Sequence, residues 1–393
     1  MDFELSEGQK ALQEEARAFA ERELTSEYAL RCELGSRYPS ELHRKAGEQG
    51  LIGVHLPREY GGRGAGLVGS VLVIEALCRQ DPGLGMSISL CSLGSHITLG
   101  FGSEAQKASI LPGVVAGRIV TGVAFTEPDH GSDITDVATT AVRDGDEFVI
   151  DGVKTLISNG QNARYITVLC KTDPSARPAR QGLSLILVET DRPGFHATDL
   201  GAKMGLKMTS TSEITLEEVR VPAANLVGVE NRGFYHTLGF LDVSRVEIAA
   251  QALGGAQAAF DRAVEQVKSR RQSGKRVADL QAIRHEVADM ATRIEAARLL
   301  TYQAAWVHDR RGSNLMLASM AKLYAARTAA EVAEEAVQLF GGRGYFTENE
   351  VERIYRDLRV TEIYEGTREI QKNTIAAQLL GRESRAAESA GGH

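Results

Sequence analysis

The order of texture along these 393 residues predicts an α+β multidomain protein: an N-terminal helical domain, a middle domain of mostly antiparallel β-sheet, and a C-terminal helical bundle. Three observations carry that reading. Apolar residues recur at spacings of three and four in both end regions, short β-type runs bounded by tight turns fill the centre, and no long amphipathic crossover helix separates those runs. The texture changes near residues 120 and 230, which gives expected domains of 1–120, 121–230 and 231–393.

The first helix is expected over Leu5 to Glu23, where Leu12, Ala16 and Phe19 fall on one face. Helical texture continues at Pro39 to His43 and from Leu67 to Arg79, around a loop marked by Pro57, Gly61, Gly62, Gly64 and Gly66. The low-charge stretch Gly83 to Gly102 has the length of a membrane span, but its Gly and Ser content and His96 favour a packed interior helix. In the middle domain, Phe148 to Ile150, Tyr165 to Leu169, Leu183 to Val188 and Ile214 to Leu216 read as strands. A long helix is expected from Ser244 to Ser269. In the next one Leu280, Ile283, Val287, Met290, Ile294 and Ala297 should form one continuous buried stripe, and Ala-rich helix follows from Leu315 to Phe340. The tail after Leu380 is small and polar and is expected to fray.

Composition narrows the function classes. With 45 Lys and Arg against 52 Asp and Glu, the net charge of −7 offers no general attraction to a phosphate polymer, so no nucleic-acid partner is expected. The basic run Lys268, Arg270, Arg271, Lys275 and Arg276 reads either as a solvated face or as contacts to a phosphorylated small molecule. Cys32, Cys78, Cys91 and Cys170 form no CxxC pair, which points to free thiols in a reducing compartment. Met1-Asp2-Phe3-Glu4 lacks the basic and then apolar pattern of a secretory leader, so the expected location is cytoplasmic, with no membrane partner.

Familiar catalytic signatures are missing. The cluster Gly61-Gly62-Arg63-Gly64-Ala65-Gly66 follows no β run and lacks GxGxxG spacing, and Gly341-Gly342-Arg343-Gly344 follows a helix. There is no P-loop, HExxH or GxSxG, and His96, His130 and His236 read as packing or hydrogen-bonding residues, so no metal is expected. What remains is a set of small, polar stretches at domain edges: Phe125 to Asp133, Ser158 to Gly160, Gln338 to Gly342 and Ile363 to Glu369. Turns of a sheet facing a bundle are a sensible place to hold a large polar cofactor.

Taken in order, these stretches resemble the acyl-CoA dehydrogenase family over residues 3 to 381. Phe125 to Asp133 is similar to its TEPxxGSD loop, and Lys154 to Gly160 to its K-x-aromatic-I-T/S-N-G segment. Lys203-Met204-Gly205, Val219 to Pro222, Arg270 to Lys275, Gln338 to Gly342 and Ile363 to Thr367 extend the match. The resemblance implies a C-terminal four-helix domain, FAD as cofactor, and a homotetramer built as a dimer of dimers. It implies that Phe125, Thr126, Gly131, Ser132, Leu156 and Ser158 surround the flavin ring. It also implies that Arg270, Gln272, Gln338, Gly341 and Gly342 serve the pyrophosphate and adenosine across a subunit interface, with Thr367 and Glu369 bordering the cofactor. Ser132, Leu241, Asp242, Arg245 and Gly366 would face the substrate, an acyl-CoA or acyl-carrier-protein thioester, and the electron acceptor would be an electron-transfer flavoprotein.

By the same resemblance Glu365 is the base. Another branch of the family carries its glutamate immediately before the arginine of the segment Leu241 to Arg245, and here that position is Ser244, which cannot act as a carboxylate base. The implied chemistry is loss of the α proton to Glu365 with hydride transfer from the β carbon to flavin N5, giving a trans-2-enoyl thioester. The oxyanion would be met by the flavin ribityl hydroxyl and the Glu365 N–H. An oxygen-using flavin oxidase or monooxygenase on the same fold, and a flavin-free scaffold, stand as alternatives. Leu156 where an aromatic is common, Ser273 where Phe is common, and Lys207 to Thr211 depart from the family pattern and leave the acyl group open.

Overall fold

The computed structural model describes residues 4–35 and 37–381, so the polar tail expected to fray lies outside the described residues from 382 onward. The N-terminal region is helical: α1 (Glu7–Glu23), α2 (Ser26–Leu34), α3 (Ser40–Glu48), α4 (Gly66–Gln80), α5 (Pro82–Leu90), α6 (Ser95–Phe101) and α7 (Glu104–Val115). Helices α1 and α7 each begin with a capping box, in which Ser6 or Ser103 exchanges hydrogen bonds with a glutamine three residues on. Helix α4 is buried on nearly every side, which explains its unbroken run of apolar residues.

The stretch 83–102 corrects the sequence expectation of one interior helix: two short helices, α5 and α6, are separated by a turn at residues 91–94. The Asp81 side chain caps α5 by accepting from Leu84 N, Pro82 occupies its first turn, and Gly94 precedes α6.

The middle region is one eight-stranded sheet made of β1 (Thr121–Ala124), β2 (Thr140–Asp144), β3 (Glu147–Ser158), β4 (Tyr165–Lys171), β5 (Leu183–Glu189), β6 (Phe195–Asp199), β7 (Thr211–Pro222) and β8 (Leu226–Val227). Its order is β6-β7-β3-β2-β4-β5-β8, with β1 paired to β4. Pairing is antiparallel except where β1 and β2 run parallel to β4. Strands β2 and β6 carry half-exposed, polar sequence, which is why alternation alone does not reveal them.

The C-terminal region comprises α8 (Gly233–Ser269), a small hairpin of β9 (Arg271–Gln272) and β10 (Lys275–Arg276), then α9 (Gln281–Arg311), α10 (Leu315–Phe340), α11 (Val351–Leu358) and α12 (Arg368–Leu380). Helix α8 is the axis of the molecule, packing on α10, α9 and also α4. At its crossing with α4 a Cβ on Gly254 would stand 2.5 Å from Glu75 O, so only glycine permits that approach. The expected stripe on α9 is only half right. Met290, Ile294 and Ala297 are buried, whereas Leu280 is 47% exposed and Ile283 and Val287 are partly covered. The first turns of α9 have too little of this chain packed over them. No helix among the described residues is long and apolar enough to cross a membrane.

Candidate active site

The loop between α11 and α12 carries Glu365, and its backbone takes an unusual path. Glu365 and Gly366 have φ of 52° and 92°, two consecutive left-handed residues that reverse the chain just before Thr367 caps α12. A non-glycine residue there is strained, and the surroundings must hold it. They do so from three helices. Gln371 Nε2 on α12 donates to Glu365 O at 3.0 Å and Gly366 O at 2.9 Å, and Lys322 Nζ on α10 donates to Gly366 O at 2.7 Å. Arg245 Nε on α8 reaches Glu365 O at 3.4 Å while its Nη1 is anchored on Ser319 Oγ.

The carboxylate itself accepts from Ser244 Oγ at 2.6 Å. Burial pushes the Glu365 carboxyl above its ordinary value, opposed by the Ser244 hydroxyl and by the cations Arg245 and Lys322, while nearby Glu247 pushes it further up. Lys322 is itself buried, and that burial lowers its ammonium to about 7 despite the attraction of Glu365. The result is a partly enclosed carboxylate that is a stronger base than a solvated one, with a fixed backbone around it.

Sequence reasoning did not single out Lys322 or Gln371. Lys322 falls on the apolar face of α10 shared by Ala318, Ala325, Ala326 and Ala329, so a lone cation on a buried stripe was the available signal. Asp242, expected to face the substrate, is buried with both carboxylate oxygens lacking a hydrogen-bond partner among the described residues. Leu241 is half-buried beside it, and Phe240 stacks edge-on to Phe125 at 5.9 Å, joining α8 to the β1 loop.

That loop is braced from below. Glu127 is buried and accepts from Lys154 Nζ at 2.8 Å, Ala138 N at 2.5 Å and Thr139 N at 2.9 Å. Lys154 also donates to Phe125 O, so the two separated motifs beginning at Phe125 and Lys154 are two halves of one buried contact. A bulge in β3 follows: the register shifts between Lys154 and Ile157, Leu156 takes φ of 58°, and Thr155 N donates to Thr126 O at 3.0 Å. Leu156 is thereby turned out, 65% exposed, above the loop that holds Thr126, Gly131 and Ser132, with Ser158 closing the strand. Asn159 then ties this end of the sheet to the helical region through Leu90 O and Tyr38.

The remaining expected cofactor residues cluster elsewhere. Arg270 caps the far end of α8, where its Nη1 donates to Phe340 O at 2.9 Å beside Gly341, and Gln272, Gln338 and Gly342 are exposed around it. Ser273 and Gly274 form a two-residue turn with φ of 48° and 79°, so the departure from Phe at 273 sits at an exposed hairpin tip. Arg270 lies 25 residues beyond Arg245 on one helix, about 37 Å at 1.5 Å per residue. Within one chain the two clusters are therefore far apart. At the other end Thr367 is occupied as the α12 cap and Glu369 is exposed.

These residues fit FAD on chemical grounds. Exposed Leu156 offers apolar surface to a flat ring, the neighbouring Thr155 N–H meets Thr126 O and so brings that loop alongside, and no atom lies within 4 Å of where a Gly131 Cβ would stand. At the second cluster a guanidinium with paired donors lies next to glycine backbone, which suits a pyrophosphate.

Comparison with known proteins agrees. Three family models match: the acyl-CoA dehydrogenase N-terminal domain over residues 6–118, the middle domain over 122–219 and the C-terminal domain over 231–380. The chain is similar to an acyl-CoA dehydrogenase of Bacillus subtilis, 39% identical across 96% of this chain and 99% of that one. It is equally similar to the CarC subunit of the caffeyl-CoA reductase-Etf complex of Acetobacterium woodii, 39% identical across 95% and 99%. Among solved structures it resembles a glutaryl-CoA dehydrogenase from Mycobacterium smegmatis in complex with FADH2, with a TM-score of 0.89 and 30% identity across 96% of each chain.

Proposed function

The chain belongs to the acyl-CoA dehydrogenase family and is an FAD-dependent oxidoreductase of acyl-CoA-like thioesters, and from that premise we propose that it desaturates an acyl-CoA to the trans-2-enoyl-CoA with Glu365 as the base. The observation that carries this reading is a carboxylate raised above its ordinary pKa by burial, held by Ser244 Oγ, on a loop fixed from three helices. The α C–H of a thioester is too weakly acidic for a solvated carboxylate, so placement and exclusion of water must do the work. Glu365 takes the α proton. Its own N–H makes no hydrogen bond among the described residues, which leaves a fixed donor for the thioester oxygen as charge builds there. FAD held by these residues would supply the two-electron acceptor for the β hydride, so that the substrate loses one proton to Glu365 and one hydride in balance. Lys322 and Arg245 keep the loop rigid through the change in charge on Glu365.

Three further features belong to this reading. An electron-transfer flavoprotein as acceptor is supported by the Acetobacterium relative, whose complex contains one. A homotetramer, with Arg270, Gln272, Gln338, Gly341 and Gly342 reaching the cofactor of another copy, is supported by the length of α8, about 37 Å from Arg245 to Arg270, and by exposed apolar Leu280, Leu299, Trp306, Tyr345 and Phe346. A cytoplasmic setting is supported by four buried free cysteines.

The test is anaerobic mixing of the FAD-loaded enzyme with panels of acyl-CoA and acyl-carrier-protein thioesters. Flavin bleaching by acyl-CoA is expected, and Glu365→Gln should slow it by about 10²- to 10⁴-fold with FAD retained. Intact flavin that no member of either panel bleaches overturns the proposal. Bleaching by the carrier-bound panel alone replaces the substrate but keeps the base.

A further inference from the structure

A second polar cluster begins on α8 one helical turn from Ser244, the residue that donates to Glu365. On α8, Ser244, Glu247 and Gln251 share a face by their spacing of three and four. Ser244 donates to Glu365, and Gln251 Nε2 donates to Ser89 Oγ at 2.8 Å while its Oε1 accepts from the Tyr364 hydroxyl. Glu247 pairs with His96 Nε2 at 3.0 Å. His96 stacks on His55, with ring centroids 3.9 Å apart and planes 15° from parallel. His55 Nδ1 lies 3.2 Å from Ser70 Oγ, and its Nε2 is buried with no hydrogen-bond partner among the described residues. His55, Ser70, Ser89, Ser92 and Glu247 line a cavity of about 20 Å³ whose other walls include Ile74, Leu77 and Ile88.

A pocket for a hydrocarbon end has no use for an unpaired imidazole nitrogen and a carboxylate, since each costs free energy when buried beside methyl groups. We propose that this cavity is a subsite for a hydroxyl group carried near the end of the acyl chain, so that the enzyme prefers a hydroxyacyl thioester to the plain one. The inference rests on Glu365 being the base of an acyl-thioester site.

The choice of hydroxyl follows from three features. A volume near 20 Å³ admits a single water-sized group, which a hydroxyl is and a carboxylate or amide is not. His55 can present Nε2 as donor or acceptor depending on its tautomer, and a hydroxyl can answer either. A carboxylate would meet Glu247 at close range, whereas a neutral hydroxyl meets no repulsion. The same three side chains could be read as metal ligands, but tetrahedral ligation at about 2 Å fans imidazoles outward, and these rings lie face to face. Tyr364 and Gln251 link the cavity to the Glu365 loop through two hydrogen bonds, and Glu247 is near enough for its charge to act on the base.

The experiment compares the FAD-loaded enzyme on butanoyl-, pentanoyl- and hexanoyl-CoA with their terminally hydroxylated counterparts, reading anaerobic flavin bleaching. A hydroxylated member should exceed its plain counterpart at least tenfold in kcat/KM, because a site built to hydrogen-bond a hydroxyl discriminates strongly against its absence. In His55→Phe, which keeps a stacking ring and removes the nitrogens, the ratio should fall towards one. Glu247→Gln, nearly isosteric, provides the same comparison independently, with bound FAD and melting temperature reporting the fold of both variants. Bleaching by plain chains with equal or better efficiency overturns the subsite and leaves Glu365 as base. A ratio unchanged in both variants also overturns it. No bleaching by any member, with FAD bound, overturns the underlying reading along with it.

Discussion

Replacing Ser244 with alanine removes the hydroxyl that donates to Glu365 Oε2 at 2.6 Å. A hydrogen bond to a charged acceptor is worth about 1.5–3 kcal/mol, and one pKa unit corresponds to about 1.4 kcal/mol. Ser244 stabilises the ionised form only, so its loss raises a carboxyl that burial has already raised. Taking the lower figure because the site is partly open, the shift is about one unit upward. A base must be ionised to work, so kcat/KM falls on the acid side of its pKa. The assay is the pH profile of anaerobic flavin bleaching. The acid limb should move up by about one unit, with roughly a tenfold loss at pH values below both limbs and no loss on the alkaline plateau, where the more basic carboxylate is still ionised. An acid limb that stays in place, or a uniform loss across the pH range, would refute the assignment of Ser244 as the group that tunes Glu365.

Lys322→Met removes a cation that favours ionised Glu365 and a donor to Gly366 O, so the acid limb should again move upward. Its stability signature is separate. The folded pKa of Lys322 is lowered from 10.5 to about 7, so the unfolded chain binds the extra proton between those values and stability of the wild type rises with pH across that window. Denaturation curves of the Met variant should lack that rise, and an unaltered slope would count against a buried ammonium. Lys154→Met leaves the Glu127 carboxylate buried with only two backbone donors and should cost about 3–5 kcal/mol, read as a lowered melting temperature that adding Glu127→Gln partly restores. An unchanged melting temperature would show that the pair does not brace the loop. Gly366→Ala places a Cβ 2.7 Å from Gln371 Nε2 at φ of 92° and should cost about 1–2 kcal/mol with a fall in kcat. Full activity would mean that the loop relaxes without moving Glu365.

Much of the architecture was legible because it depends on local pattern. Apolar spacing on α1, α8 and α10 marks helices wherever one face must be buried, and the β-branched runs of β4 and β5 mark strands buried on both sides. Where the local pattern and the packing diverge, the reading fell short. The turn at residues 91–94 interrupts an apolar stretch that looks continuous, and the first turns of α9 carry a stripe that this chain alone does not cover.

The order of helices, sheet and bundle, and the kinship that marks Glu365, can be read from residue order alone, because motifs keep their residues and spacing whatever the rest of the chain does. How tightly that carboxylate holds a proton is set by what packs around it in space. Ser244, Arg245 and Lys322 lie 121, 120 and 43 positions from it, and no spacing rule says that a hydroxyl on α8 and an ammonium on α10 converge on one loop. The same holds for His55, His96 and Glu247, each unremarkable in its own segment. Electrostatic free energy depends on distance through space and on burial, and both are set when helices pack, not when residues are strung in order.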